Sequence, residues 1–428
     1  MKTKFLSKII AALLAVSTAI TLASCGSVPA GTDAPAPVAE AAVTDLLANI
    51  DVDRAPMTAL TDEQAKTLTA AYLKLFKNTL SDKKGSSLIS PFSIIAALGM
   101  TADGTAGDTL AQLESLFGVS AGALDALMPA VLSKLTDTGS ENVTFSNANS
   151  LWLTNDGSVK FRTSYLERVK AAYDPAVYAT DFSDPAISDV INAWVKENTG
   201  GMIEKIIEPS DVGPMTVAAL VNAIAFEAQW EEKFSGTSNG TFTSYAGEKQ
   251  AVEMMKSTES SYCSLKNASG FSKDYAGGKY KFVALLPDEG IDVFEFIETL
   301  DEGTLRDVLK YPTEAQVSIS MPKFTFDYDL DLIPSLVSLG VTDLFGPADF
   351  SAMAEIGKGD IYVDKAIHKT HIEVDENGTK AAAATYIGTR KNAVVSEYTV
   401  TLDRPFVYMI VDSGTSLPVF MGVMASAK

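Results

Sequence analysis

Leu68, Ala71, Tyr72, Leu75 and Phe76 are apolar at alternating spacings of three and one within otherwise polar sequence. That is the stripe one face of an α-helix turns toward a core. Thr61-Asp62-Glu63-Gln64 precedes it as a capping box, with Thr61 as N-cap and Gln64 at the third helical position. Ile187, Val190, Ile191, Trp194 and Val195 repeat the stripe, and Asn198-Thr199-Gly200-Gly201 ends it with a glycine stop. Later the pattern changes. TFSNANSLWLT (144–154), MTVAALVNAIAFEAQW (215–230), KYKFVALLP (279–287), AQVSISMPKFTF (315–326) and IYVDKAIHKTHIEVD (361–375) are rich in β-branched and aromatic residues and predict strands. RPFVYMIVD and LPVFMGVMAS add two more near the C-terminus. Helices lead and strands follow, which places the chain in the α+β class. There is no internal repeat, and no break in composition after residue 60 marks a second domain.

The first 60 residues are different. MKTKFLSKIIAALLAVSTAITLASC has a basic start, an apolar run from Ile9 to Leu22 and then small residues, the layout of a secretory signal. Leu22-Ala23-Ser24-Cys25 resembles a bacterial lipobox, which makes residues 1–24 a lipoprotein signal peptide and Cys25 the lipidated N-terminus. Residues 25–57 are rich in Pro, Ala and acids and read as a tether, in which AEAAVTDLLANI predicts a short helix. The folded domain is expected over 58–428. Cys263 is then the one other cysteine, so no intrachain disulfide forms, and it reads as a small core residue.

With 428 residues, 46% of them hydrophobic, the chain can bury a large core. The net charge is −20, three units more negative once a leader carrying Lys2, Lys4 and Lys8 is removed. This argues against a nucleic-acid partner, whose phosphates need Lys and Arg.

The sequence offers little enzymatic chemistry. Its two histidines, His368 and His371, are three apart on an expected strand and should point to opposite faces, so they do not form a metal pair. HExxH, Walker A and GxGxxG patterns are absent. Ser81-Asp82-Lys83-Lys84 fits S-x-x-K only formally, lacking KTG or SDN downstream. Asp327-Tyr328-Asp329-Leu330-Asp331 lacks calcium-loop spacing and reads as a solvated face. No metal or cofactor is expected.

Val400-Thr401-Leu402-Asp403-Arg404-Pro405-Phe406-Val407-Tyr408-Met409-Ile410 resembles the signature of the serpins, the serine protease inhibitors. The resemblance runs over most of residues 60–428. Leu88-Ile89-Ser90-Pro91-Phe92-Ser93-Ile94 with Gly104-Thr105-Ala106 and Thr109 is similar to an early helix region of the family. Ile191-Asn192, Trp194-Val195 and Thr199-Gly200 resemble a later one. Leu220-Val221-Asn222-Ala223-Ile224, Phe226 and Trp230 resemble its central strand. Leu285-Leu286-Pro287, Met321-Pro322-Lys323-Phe324, Leu339-Gly340-Val341 and Asp364-Lys365-Ala366-Ile367-His368-Lys369 fit in the same order. The resemblance implies helices packed on a large mixed β-sheet with smaller sheets, and an exposed reactive-centre loop, about 376–397 here. It also implies a suicide-substrate inhibitor, not an enzyme, that traps a serine protease by inserting the cut loop into the main sheet.

The residues can be tested against that mechanism. A segment sliding between packed strands must be small, because extra bulk costs about 1–3 kcal/mol per residue. Glu376 resembles the hinge glutamate. Gly378 reads as a pivot and Thr379 as the first residue to enter, followed by Ala381, Ala382, Ala383, Ala384 and Thr385. Lys380 must face solvent, which turns Thr379, Ala381, Ala383 and Thr385 inward. The family's spacing from Glu376 puts the cut between Asn392 and Ala393. The distance to Pro405 is a little long for the family, so Arg390, Lys391 and Val394 stay open as alternatives. Arg390 and Lys391 suit trypsin-like proteases, and Ala393 and Val394 suit elastase-like or subtilisin-like ones. Ser90, Ser93, Asn222 and His368 match the family's polar "shutter" beneath the sheet, and Trp230 its "breach" where insertion begins. The expected protein is a monomer, lipid-anchored at a bacterial cell surface or shed from it. Two rivals stay open: a non-inhibitory serpin-like binding protein, and a secreted hydrolase using His368 or His371.

Overall fold

The capping box at Thr61 forms as its sequence dictates: Gln64 N–H donates to Thr61 Oγ1 (3.2 Å), and Thr61 N–H donates to Gln64 Oε1 (2.9 Å). The computed structural model describes residues 43–52, 59–80, 84–138, 140–155, 159–379 and 397–427. In chain order the elements are β1 (Val43–Asp45), α1 (Asp62–Thr79), β2 (Ser87–Ile89), α2 (Pro91–Ala102), α3 (Gly107–Phe117), α4 (Ala121–Thr136), β3 (Val143–Thr154), α5 (Thr163–Tyr173), β4 (Ala176–Thr180), α6 (Ile187–Asn198) and β5 (Ala218–Gln229). They continue with β6 (Gly236–Thr243), β7 (Lys249–Leu265), β8 (Ala268–Asp274), β9 (Tyr280–Pro287), α7 (Val293–Thr299), α8 (Glu302–Lys310), β10 (Thr313–Pro322), β11 (Phe324–Asp331) and α9 (Ile333–Ser338). Last come β12 (Lys365–Val374), β13 (Gly378–Thr379), β14 (Tyr398–Thr401), β15 (Phe406–Asp412) and β16 (Pro418–Met424).

Two sheets organise these elements. The first runs β1-β4-β3-β5-β13-β12-β11, and the second β14-β10-β7-β8-β9-β15-β16-β2 with β6 alongside β7. Around β5 the first sheet is covered on both faces, and alternation along that strand shows why, whereas one face of β11 and β12 is wet. Leu220, Ile224 and Phe226 join the main core, which includes the fully buried helix α2. Ala219, Val221 and Ala223 join a second core with Ile187, Ile191 and Val195 of α6. Side chains alternate across a strand, so one strand feeds two cores.

Several expectations change here. AQVSISMPKFTF is not one strand: it breaks at Lys323 into β10 and β11, which belong to different sheets. The described part of AEAAVTDLLANI, from Val43 onward, does not form the expected helix. Val43–Asp45 pairs antiparallel with β4, and Lys170 Nζ donates to Leu47 O (2.9 Å) and Ile50 O (2.5 Å). The expected tether of 25–57 is therefore docked on the domain from residue 43 to about residue 50. The strands β6 and β7 escape an apolar-run reading because one face is wet, as the mixed buried and exposed positions of β7 show, and β8 escapes it because its buried positions include Ser272 and Lys273.

Candidate functional site

β5 and β12 run parallel and pair directly from Ala219↔Lys365 to Ile224↔Thr370. Beyond Thr370 they part, and β13 lies between them, antiparallel to both: Thr379 pairs with Val374 on one side and Ala228 on the other. The sheet is thus a closed seam along most of β12 and an open fork at one end, holding two residues of a third strand.

The fork is built around a turn. Asp375 Oδ1 accepts from Asn377 N–H (2.6 Å) and Gly378 N–H (3.0 Å), which reverses the chain into the gap. A Cβ on Gly378 would stand 2.0 Å from Ala228 O, so close backbone approach demands glycine here. Thr379 is buried and its hydroxyl bonds the Tyr275 hydroxyl at 2.7 Å. Trp230 stacks on Tyr275 (4.4 Å between centroids) and donates from Nε1 to Asp375 O (2.9 Å). Lys273 lies over Phe234 and Trp230 and pairs with Glu259 at 2.8 Å, so the aromatic floor rests on a neutralised cation. Glu376 pairs with Lys323 at 2.7 Å, and that ammonium holds its carboxyl below the usual carboxylate range.

Halfway along the sheet, on the face toward α2, a polar row crosses three strands. Asn149 of β3 sits opposite Asn222 of β5, which sits opposite His368 of β12. Ser90 and Ser93, at the N-terminus of α2, close over it. His368 Nε2 accepts the Ser90 backbone N–H (3.0 Å), so Nδ1 carries the proton and donates to Asn222 Oδ1. Asn222 Nδ2 donates to Ser93 O (2.9 Å) and to Asn149 Oδ1, and Ser93 Oγ donates to Asn147 Oδ1 (2.8 Å). Ser90 Oγ donates to Val419 O (2.7 Å). Complete burial pushes the imidazole down to about 3, so His368 is neutral.

The sequence thus names Glu376, Gly378, Thr379 and Trp230 at the fork and Ser90, Ser93, Asn222 and His368 in the row, and each group is brought together. It misses Tyr275, Asn147 and Asn149. Their one signal is SNANS inside an apolar strand, where two asparagines on one face call for partners. His371 stands apart on the other face of β12, against Asp327 Oδ1 at 2.8 Å. Cys263 is buried, and burial pushes its thiol up to about 12. Among the described residues no group of three or more His, Cys, Asp or Glu side chains is placed to hold a metal. Ala381, Ala382, Ala383, Ala384, Thr385, Arg390, Lys391, Asn392, Ala393, Val394 and Cys25 lie outside the described residues.

Comparison with known proteins agrees with this geometry. The family model described as Serpin (serine protease inhibitor) matches residues 66–427. Leukocyte elastase inhibitor A of Mus musculus is 33% identical over 85% of this chain and 98% of its own. An uncharacterized serpin-like protein of Thermococcus kodakarensis is 31% identical over 82% of each chain. Among solved structures, the thermophilic serpin tengpin in its native state superposes with a TM-score of 0.83, at 36% identity over 90% of this chain and 99% of that one. Tengpin in its latent state gives 0.75, at 35% identity over 87% and 100%. The chain belongs to the serpin family, a family of protease inhibitors and not of enzymes.

Proposed function

We propose that this protein inhibits serine proteases as a suicide substrate: a protease cuts the reactive loop, and the segment beginning at Thr379 inserts between β5 and β12 before the acyl-enzyme is hydrolysed. The observation that carries this reading is the fork, where Gly378 and Thr379 already occupy the first two places of a new strand. Continued insertion adds a strand to an existing sheet and needs no new fold. The segment that would follow carries alanines, which suit a packed sheet.

The seam below must open for this. The Asn222–His368 bond is the polar link across it, and one inserted strand parts β5 and β12 by roughly one further spacing of about 4.8 Å. Ser90, Ser93, Asn147 and Asn149 then offer the separated groups other partners, which is the role assigned to this shutter. With Trp230 as breach, insertion starts at the fork and runs toward the row. From Thr379 to Asn392 at about 3.3 Å per residue the protease travels roughly 46 Å. That displacement distorts its active site. The target class is trypsin-like or elastase-like and subtilisin-like, with the cut at Asn392–Ala393 or one of its neighbours Arg390, Lys391 or Val394. The lipobox supports a chain held outside the cytoplasm by lipid on Cys25.

Incubation with trypsin, pancreatic elastase and subtilisin tests the reading. An SDS-stable complex with at least one of them is expected, with a released C-terminal peptide whose mass fixes the scissile bond. Complete cleavage without complex by all three would make the protein a plain substrate.

A further inference from the structure

Asp103 caps the C-terminus of α2 and its side chain is 4% exposed. Its neighbours leave its charge poorly matched. Arg168 Nη2 bonds the Asp103 backbone carbonyl (2.7 Å), while Arg168 Nε is 3.9 Å from Oδ1, beyond hydrogen-bond range. Asp103 Oδ2 is buried and receives no N–H or O–H. Its other neighbour is a second carboxyl, Asp125 of α4, and each carboxyl acts on the other. Asp125 Oδ1 accepts the Tyr173 hydroxyl (2.8 Å), and Gly99 makes room for that tyrosine, since a Cβ there would stand 2.3 Å from Tyr173 Oη. Three helices, α2, α4 and α5, meet at this point.

We infer that Asp103 and Asp125 share one proton, as a carboxylic acid donating to a carboxylate, and that loss of this proton loosens α2 from α4 and α5. Two neighbouring carboxylates repel, here one buried and one half-buried, whereas a proton between them makes a short, charge-assisted bond. The proton belongs on Asp103. That residue sits at the negative end of the α2 dipole, while Asp125 lies in the second turn of α4 and already accepts a hydroxyl. The charged and titratable groups facing the pair are Arg168, Tyr165 and Tyr173, all on α5. Burial raises both phenols well above neutrality, so the pair itself is what titrates. Burial first, then the charge of Asp125, push Asp103 up to about 8.

The sign follows. Between the ordinary carboxyl value near 4 and about 8, the native state holds a proton that the unfolded chain lacks, so stability falls as pH rises. His368 opposes this at lower pH: between about 3 and 6.5 the unfolded chain holds a proton that the buried imidazole refuses. Above 6.5 the histidine no longer contributes, and the acid pair acts without it.

The test is the urea unfolding midpoint from pH 6.5 to 8 for the intact protein, Asp103→Asn and Asp125→Asn. The wild-type folding constant should fall roughly tenfold over that range, Asp103→Asn should lose the dependence, and Asp125→Asn should weaken it, since the burial of Asp103 remains. Infrared spectra at pH 6.5 should show a protonated carboxyl stretch, absent from Asp103→Asn. If a variant fails to fold, wild-type protein made with 13C-labelled aspartate carries the test, since its band must shift. Parallel pH profiles of wild type and folded Asp103→Asn, or no protonated carboxyl at pH 6.5, would overturn the inference.

Discussion

Gly378 has the Ala228 carbonyl oxygen where a side chain would be, and that contact decides whether Thr379 stays in the sheet. In Gly378→Val the Cβ cannot fit beside β5, so the two-residue strand must leave the fork and the Thr379–Tyr275 bond must break. Overpacking of this kind costs about 1–3 kcal/mol. Set against a fixed rate of deacylation, that shifts the partition from trapping toward turnover by roughly tenfold, since about 1.4 kcal/mol is a factor of ten. The ratio of complex to cut inhibitor on a gel measures it; trapping at the wild-type ratio would mean that seating at the fork is not needed. Here sequence reading gives the right residue for an incomplete reason. Glycine suggests a pivot, but the structure shows a close backbone approach, and such an approach depends on the register of β5 against β13. Tyr275 is invisible for the same cause, since nothing local links it to a threonine 104 positions away. Asn149 and Asn222 become neighbours only through the β3–β5 register.

At the scale of elements, the seam between β5 and β12 is the part that has to move, and it can be locked. Val221 and Ile367 are direct partners across it, on the face toward α6 and away from the polar row. Adjacent strands lie about 4.8 Å apart, within the Cα separation a disulfide accepts. The variant Val221→Cys/Ile367→Cys should therefore form a bridge when oxidised, and buried Cys263 should not compete. With the seam closed, a protease can still cut the loop, but the loop cannot insert beyond the fork. Oxidised protein should be cleaved without forming complex, and reductant should restore trapping. Full trapping by the oxidised form would place insertion elsewhere. The helices and central strands flanking this seam were legible because each carries a strong period: 3.6 in α1 and α6, apolar runs in β5 and β9. The strands β6 and β7 were not, because strands with one wet face look polar. The break at Lys323 was hidden because two strands in different sheets follow each other with a single residue between them.

For the whole molecule, the proposed function requires that the intact fold is not its most stable arrangement. Along most of the seam β5 and β12 pair with each other in parallel, whereas at the fork each pairs antiparallel with β13, the slightly stronger ladder. Extending β13 through the sheet replaces one parallel ladder by two antiparallel ones. About a dozen hydrogen bonds are gained, at a net value of roughly 1 kcal/mol each. A kilocalorie moves the melting point of a large domain by about 2 °C. Protein cut in its reactive loop should thus melt about 20 °C above intact protein by calorimetry at neutral pH. The disulfide-locked variant, cut in the same way, should show no such gain until it is reduced. That contrast separates strand insertion from any general effect of nicking a loop, because both samples carry the same cut and differ only in whether the seam can open. Equal melting points for cut and intact wild-type protein would remove the energetic basis of the mechanism.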